Sequence, residues 1–306
     1  ILLFALFQST VLNAQETNEV SNKGLIFKIE ANTTITVSGS IVALNNSNSG
    51  TVKVEADGVL VVDGEVHNQS GSSIQIDGLL QAKSHWTNDA TASLELVGGS
   101  YGTVEFSGGA NQNIGGTSST VFENLSMNNS NGVTLTTDQE ISNGLYFTDG
   151  IITTGANRLD LTSTNDSVSG YGAGSYVVGT LRRYVNTGVD YHLPIGTASN
   201  FELAELYVHS QTGLSYVDVT FTVSSEAVPG GLTVNGVAVD NFLDYGYWTF
   251  TPNVGVTAVS YHPSIYSTGH TDLGDNEDNY ALFTNTGSGW QDLGTHSSTT
   301  QDYSAT

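Results

Sequence analysis

The sequence predicts an all-β protein in which a right-handed β-solenoid is followed by an antiparallel β-sandwich. Three observations support this prediction. Gly, Ser, Thr and Asn are abundant and only 12% of residues are charged, and these four residue types are poor helix formers. Many short segments alternate apolar and polar residues, which is the pattern of strands with one buried face. No segment shows a convincing 3.6-residue period, so helices are not expected.

Residues 1–14 are predicted to be an incomplete signal peptide. The apolar run at residues 1–7 is followed by small and polar residues, with Ala14 as the last residue before the expected cleavage site. The run is too short to span a bilayer, which takes about 20 apolar residues. We therefore expect an extracellular or cell-surface protein with no membrane insertion after signal removal, and a chain that is part of a longer protein.

Residues 22–172 are predicted to form the solenoid repeat domain. A pattern of alternating apolar residues followed by Gly begins at Ile35, Leu60 and Ile74, with a looser copy at Leu145. Asp-Gly pairs in these copies tolerate positive φ, so each strand can turn a corner. A meander of hairpins would also fit the pattern. The irregular spacing of Gly39, Gly64 and Gly78 favours stacked turns, which tolerate insertions.

Residues 173–306 are predicted to form the β-sandwich, which we expect to continue beyond residue 306. A Gly-rich stretch at residues 170–174 marks the expected domain boundary. Beyond it the alternating segments are longer and richer in aromatic residues, as in residues 216–223 and 247–250. Longer alternating strands at this spacing are typical of two packed antiparallel sheets.

A series of short motifs extends through the middle of the chain. They are SHWTN (84–88), GTVEFSG (102–108), QNIG (112–115), FENL (122–125), GVTL (132–135), GL (144–145) and GII (150–152), followed by YVVGTLRR (176–183), YHLPIG (191–196) and YW (247–248). This arrangement resembles a repeat of large surface or secreted proteins of Bacteroidota-type bacteria that are associated with type IX secretion. The resemblance implies a surface or secreted location and a repeat architecture, and it implies no reaction.

The charge distribution excludes several classes of partner. The formal net charge is −23, and only seven Lys and Arg residues occur. The last of them is Arg183, after which thirteen Asp and Glu residues follow. Binding of nucleic acid or of an anionic membrane surface requires cations, so neither partner is expected. The chain has no Cys, which rules out disulfides, thiolate metal sites and a cysteine nucleophile.

The sequence predicts no catalytic residue. Residues 98–102 match the G-x-S-x-G motif around Ser100, but that motif requires a helix after the serine and residues 103–106 are predicted to form a strand. A uronate lyase would need Arg or calcium, and the Arg residues are Arg158, Arg182 and Arg183. A glycosidase would need a carboxylate pair, whereas Asp63 and Asp77 already have conformational roles beside Gly corners. A solenoid lyase or hydrolase stays the third hypothesis.

No cofactor or metal residue is predicted, although the acidic loop from Asp272 to Asp278 leaves two alternatives open, a structural calcium site or a solvated hairpin loop. The seven histidines at positions 67, 85, 192, 209, 262, 270 and 296 show no paired zinc spacing. Trp86, Trp248 and Trp290 are candidates for stacking on sugars. Trp248 shares a strand face with Phe250, so core packing is expected for both.

The sequence therefore favours a non-catalytic structural or adhesive module of a large extracellular or cell-surface protein. The alternative is a carbohydrate-binding accessory region of a polysaccharide-degrading enzyme. The first hypothesis expects dispersed aromatic side chains, whereas the second expects a flat row of exposed Trp and Tyr. An extracellular polysaccharide or a surface protein is the expected partner in either case.

Overall fold

The computed structural model describes residues 10–13, 20–38, 42–89, 102–224, 230–234, 237–239, 246–266, 282–285, 287 and 289–292. These residues form strands, turns and bends, and none of them forms a helix, so nothing in these ranges is a helix long and apolar enough to cross a membrane. The chain divides into two compact units. The solenoid unit comprises Ile1–Ser163 and Ser167–Arg182, and the antiparallel unit comprises Thr164–Asp166 and Arg183–Thr306. The sequence predicts that the second domain begins at residue 173.

The solenoid unit has about seven turns, and its strands lie on three faces. The first face contains β1 (Thr10–Asn13), β4 (Thr34–Ser38), β7 (Val59–Val62), β10 (Leu79–Ala82), β12 (Thr103–Phe106), β14 (Val121–Asn128), β16 (Gln139–Asp149) and β18 (Val168–Ser169). The second face contains β2 (Val20–Lys23), β5 (Val42–Ser47), β8 (Glu65–Asn68), β11 (Trp86–Asn88), β13 (Gln112–Gly115), β15 (Val133–Leu135), β17 (Ile152–Leu161) and β19 (Val177–Tyr184). The third face contains β3 (Ile26–Ile29), β6 (Thr51–Val54) and β9 (Ser73–Ile76), and later the ends of β14, β16 and β17.

Parallel pairing between successive turns confirms the predicted solenoid and rules out the meander for this part of the chain. Two columns of buried side chains stack along the first face. One contains Ile35, Leu60, Leu80, Val104, Leu125, Leu145 and Val168, and the other contains Val37, Val62, Ala82, Phe106, Met127 and Phe147. Three of the predicted repeat copies begin in the first column, at Ile35, Leu60 and Leu145. The copy at Ile74 lies on the third face instead, so it is out of phase with the others.

The corner glycines serve two different purposes. Gly150 has a φ of +101°, and a Cβ there would lie 1.8 Å from the carbonyl oxygen of Asn129. Gly78 lies outside the positive-φ region, but a Cβ there would lie 2.3 Å from the carbonyl oxygen of Gly58. The predicted role of Asp-Gly pairs in supplying positive φ therefore holds at Gly150 and is wrong at Gly78. At Gly78 the close approach of the preceding turn excludes a side chain.

The antiparallel unit confirms the second part of the predicted fold class. Its strands beyond the shared β19 are β20 (Asp190–Gly196), β21 (Phe201–Thr212), β22 (Tyr216–Val223), β23 (Thr233–Val234), β24 (Val237–Ala238), β25 (Gly246–Pro252), β26 (Ala258–Ile265), β27 (Phe283–Asn285) and β28 (Trp290–Asp292). β21 pairs antiparallel with both β20 and β26, and β22 pairs antiparallel with β25. The inward row includes Tyr191, Leu193 and Ile195, each fully buried, while Asp190 at the start of β20 is exposed.

Candidate functional site

Four asparagines form a hydrogen-bonded stack inside the solenoid unit, which we call the asparagine ladder. Nδ2 of Asn22 donates to Oδ1 of Asn46 at 2.9 Å, Asn46 donates to Asn68 at 2.8 Å, and Asn68 donates to Asn88 at 3.2 Å. All four side chains are at most 4% exposed. Nδ2 of Asn88 donates to the carbonyl oxygen of Ser119 at 3.0 Å, so the ladder ends on a backbone acceptor.

The ladder also bonds to the backbone at the corner that follows each second-face strand. Asn22 donates to the carbonyl oxygens of Leu25 and Thr51 at 3.0 and 3.1 Å, and Asn46 donates to that of Ser73 at 2.8 Å. Buried amides need such partners, because an unpaired polar group in the interior is costly. The ladder is not among the features predicted from the sequence. Its signal was an apolar residue, any residue and then Asn, which recurs at residues 20–22, 44–46, 66–68 and 86–88.

Carboxylates on the outer surface of the solenoid unit bond from one turn to the next. These contacts join Asp63 to Ser38 and Lys83, Glu65 to Thr87, Asp89 to His67, Glu105 to Gln81, and Glu140 to Thr162. Burial acts to raise the pKa of the Asp63 carboxyl, but the bonds from Ser38 and Lys83 outweigh it and lower that pKa. The carboxylates therefore link successive turns.

Basic residues of the solenoid unit are also held in ion pairs. Lys28 and Lys53 contact the same oxygen of Glu55 at 2.9 and 3.0 Å, and their hydrogen bonds lower the pKa of that carboxyl. Arg158 contacts Asp160 at 2.8 Å. Burial raises the pKa of Asp160, and the bond from Arg158 opposes this effect. Arg158, one of the Arg residues available for a lyase, is thus engaged in a structural pair.

Arg183 organises a buried polar cluster in the antiparallel unit. Its side chain is 0% exposed, and its Cζ lies 4.9 Å from the ring centroid of Tyr191. Nη2 donates to the carbonyl oxygen of Asn165 and lies 3.8 Å from Oδ1 of Asp166. Burial lowers the pKa of the Arg183 guanidinium, and Asp166 acts in the opposite direction. The side chain thus ties the segment Thr164–Asp166 to the rest of the unit.

Tyr191 holds the same segment through its hydroxyl. That hydroxyl donates to the carbonyl oxygen of Thr164 at 2.7 Å and accepts the backbone N–H of Asn186 at 2.6 Å. Burial raises the pKa of the Tyr191 phenol, which keeps the donating proton in place.

His192 lies between two carboxylates at the edge of this cluster. Its Nδ1 is 2.5 Å from Oδ2 of Asp166, and its Nε2 is 3.4 Å from Oε1 of Glu205. The backbone N–H of His192 also donates to Oδ1 of Asp166 at 3.2 Å. An Asp–His pair of this kind orients the imidazole in hydrolytic triads, where the other ring nitrogen faces a nucleophilic hydroxyl. Here Nε2 faces the carboxylate of Glu205 instead of a hydroxyl. The two contacts of His192 with Asp166 therefore serve to hold the segment Thr164–Asp166 in place.

Glu202 is a buried carboxylate on the inward side of β21. Its side chain is 0% exposed, and neither carboxylate oxygen has a hydrogen-bond partner among the described residues. Burial raises its pKa to about 7. Its backbone carbonyl accepts a hydrogen bond from Nε1 of Trp248 at 3.1 Å, and the Trp248 ring lies edge-to-face against Phe221 at 4.9 Å. Trp248 therefore points into the unit, as strand alternation predicts, but it and Phe250 are half-buried and not core residues.

The other two tryptophans have different environments. Trp86 is 2% exposed, lies 5.6 Å from the ring of Phe122, and donates from Nε1 to Oγ1 of Thr120 at 2.9 Å. It is a core residue and is inaccessible to a sugar. Trp290 is half-buried, and its ring centroid lies 6.5 Å from that of Tyr247.

The remaining candidates are separate from one another or lie outside the described residues. Those outside the described residues are Ser100, the loop from Asp272 to Asp278, His270 and His296. Nδ1 of His85 accepts the backbone N–H of Asn113 at 3.0 Å. The rings of His209 and His262 lie 6.4 Å apart. In the ranges that the structure describes, no three His, Asp or Glu side chains are arranged to hold a metal ion.

These features define a parallel β-solenoid protein with an antiparallel β unit after it. Comparison with protein-family models, with curated proteins and with solved structures finds no match for the chain.

Proposed function

We propose that the chain is a non-catalytic structural and adhesive module of a large extracellular or cell-surface protein. The solenoid unit is the spacer, and the antiparallel unit is the contact end. The asparagine ladder is the observation that carries this proposal, because it bonds four successive turns through their buried amides. Asparagine ladders of this kind stiffen stacked strands.

The outer carboxylates support the same function. A glycosidase needs two carboxylates free to face a substrate, whereas Asp63, Glu65 and Glu105 each bond to a side chain of an adjacent turn. These groups act in holding the stack together. About seven turns at a strand spacing of about 4.8 Å would make a spacer roughly 34 Å long.

Two features of the sequence support an extracellular location. Residues 1–14 have the pattern of a signal peptide, and residues 84–290 resemble the repeat of Bacteroidota-type surface and secreted proteins. A chain without Cys that is held by ladder hydrogen bonds needs no particular redox environment.

The proposal is tested by incubating the full chain with a panel of soluble and insoluble polysaccharides, with and without calcium. Both depletion of the protein from solution and release of new sugar ends are measured. We expect no new sugar ends under any condition. New sugar ends that disappear in Glu65→Gln or Glu105→Gln, but persist in the matched Asp190→Asn variant, would overturn the proposal and establish a solenoid glycan hydrolase or lyase.

A further inference from the structure

One side of the β22–β25 pair carries hydroxyl groups in two rows. Thr220 lies opposite Thr249, Thr222 lies opposite Tyr247, and Thr251 lies opposite Asp218. We call Thr220, Thr222, Thr249 and Thr251 the threonine face. None of the four is buried, and Thr222 and Thr251 are exposed.

The other side of the same strand pair is buried over part of its length and is exposed at Val223. Val217 and Val219 are at most 5% exposed, and Trp248 reaches the backbone of Glu202. Because side chains alternate along a strand, this contact fixes the threonine face as the outward side.

An aromatic pair lies at each end of the threonine face. The rings of Tyr184 and Tyr216 are 5.5 Å apart at one end, and those of Tyr247 and Trp290 are 6.5 Å apart at the other. All four side chains are half-buried. Tyr216 and Thr222, which lies opposite Tyr247, are six residues apart on β22, so the two pairs are separated by roughly 20 Å at about 3.3 Å per residue. Rings at both ends with hydroxyls between them form an elongated amphipathic strip.

The charge of the antiparallel unit restricts the partner of this strip. Arg183 is the one Lys or Arg that the sequence provides in this unit, and it is buried. The charged side chain within the strip is Asp218, which is acidic. An anionic chain would therefore be repelled. Threonine hydroxyls both donate and accept hydrogen bonds, which matches the hydroxyls of an uncharged sugar, and aromatic rings supply apolar faces for stacking.

We propose that the threonine face and its two aromatic pairs bind an extended, uncharged polysaccharide. This inference rests on the proposed contact role of the antiparallel unit and names the partner class of that role. The polysaccharide lies along β22 and β25, with sugar rings stacked at the Tyr216 and Tyr247 ends and hydrogen-bonded to Thr220 and Thr249 between them.

Titration calorimetry of the full chain with a mixed-linkage β-glucan, a xyloglucan and a polygalacturonate tests the proposal. We expect binding to at least one of the two neutral polymers and none to polygalacturonate. Tyr216→Ala and Tyr247→Ala should each weaken binding about tenfold, since each removes a stacking ring. Tyr216→Phe and Tyr247→Phe keep the ring and should retain most of the affinity.

Tyr207→Ala is the matched control, because Tyr207 is a half-buried tyrosine of β21 whose ring contacts His209 and not the threonine face. It should leave binding unchanged. Absence of binding to both neutral polymers, equal binding to polygalacturonate, or unchanged affinity in both alanine variants would overturn the inference. None of these outcomes affects the proposed spacer, which fails only if new sugar ends are released.

Discussion

The solenoid unit and the antiparallel unit bury polar groups in different ways. In the solenoid unit, the amides of the first three asparagines of the ladder each donate to the equivalent amide of the next turn, and that of Asn88 donates to a backbone carbonyl. The described buried side-chain atoms without a partner in this unit are the hydroxyls of Ser72 and Ser107. In the antiparallel unit, the described unpartnered atoms belong to the charged groups of Arg183 and Glu202. Repetition thus supplies a like partner one turn away, whereas a non-repeating sheet needs a different residue for each buried group.

The two units also differ in their use of positive charge. Six of the seven Lys and Arg residues belong to the solenoid unit, where Lys28, Lys53 and Arg158 pair with carboxylates. Arg183, the remaining base, is buried in the antiparallel unit. This contrast is tested by a substitution that leaves buried polar groups of the solenoid unit without partners. It is also tested by one that removes an unpartnered buried charge from the antiparallel unit.

Asn46→Ala should have the largest effect, because it gives the solenoid unit unpartnered buried groups. The change deletes the bond from Asn22 and the bonds to Asn68 and to the carbonyl oxygen of Ser73. We expect the free energy of unfolding of the solenoid unit to fall by about 4 kcal/mol, since each orphaned buried group costs about 1–3 kcal/mol. Denaturant titration followed by hydrogen exchange of solenoid peptides measures the loss.

Asn45→Ala is the matched control for the ladder. Asn45 is the half-buried neighbour of Asn46 and accepts one hydrogen bond, from Gln69 at 2.8 Å. Its loss should lower the free energy of unfolding by less than about 1 kcal/mol. Equal losses in the two variants would show that the ladder is no more important than a surface hydrogen bond.

Much of the solenoid could be predicted from the sequence, because its core depends on a local pattern. Alternation placed Ile35, Leu60 and Leu145 in one buried column. Alternation could not show that the copy at Ile74 lies on the third face, because third-face strands alternate in the same way as first-face strands. The role of Gly78 was also hidden, because the carbonyl oxygen that excludes a side chain belongs to Gly58 of the preceding turn.

The polar sites were harder to predict. The asparagine ladder has a periodic signal, but its meaning depends on the register that aligns Asn46 with Asn68. The cluster of Arg183, Asp166 and His192 has no period at all. Its members are up to 26 residues apart, and chain spacing alone does not bring them together. Alternation did place Trp248 correctly, because inward and outward positions on one strand need no knowledge of its partners.

Glu202→Gln should relieve a burial cost of the antiparallel unit, because both carboxylate oxygens of Glu202 are buried without a partner among the described residues. Burial raises the pKa of Glu202 from its ordinary 4.5 to about 7, so the folded unit keeps this proton up to about pH 7 whereas the unfolded chain releases it near pH 4.5. The free energy of unfolding of the antiparallel unit is therefore highest below about pH 4.5 and falls as the pH rises to about 7. The loss should be on the order of 3 kcal/mol in the wild type and absent in Glu202→Gln.

Unfolding titrations at several pH values between 4.5 and 8, read by hydrogen exchange of antiparallel-unit peptides, test this expectation. Asp190→Asn is the control, since Asp190 is exposed on β20. It should keep the pH dependence of the wild type. A wild-type unit whose stability is constant over this range would show that Glu202 is ionised and partnered in the folded protein.

Gly78→Ala should have a smaller effect, which tests how closely adjacent turns approach. The new Cβ would lie 2.3 Å from the carbonyl oxygen of Gly58 and 2.4 Å from that of Glu55, so the backbone must move. We expect a loss of about 2 kcal/mol in the free energy of unfolding of the solenoid unit, as for other overpacked sites. Gly109→Ala is the control, because a Cβ at Gly109 would meet nothing within 4 Å. Thermal unfolding that fails to separate the two variants would contradict the assigned close contact.

Tyr191→Phe should have the smallest effect of the four changes, and it tests what holds Thr164–Asp166 in the antiparallel unit. The change removes the hydroxyl bonds to the carbonyl oxygen of Thr164 and from the N–H of Asn186 but keeps the ring beside Arg183. We expect about 1 kcal/mol less stability and faster hydrogen exchange at residues 164–166. Tyr207→Phe, in a half-buried tyrosine of β21, should change neither. If exchange at residues 164–166 is unaltered in Tyr191→Phe, then Arg183 and His192 alone suffice to hold the segment, and the single buried base of this unit has a larger structural role than the tyrosine beside it.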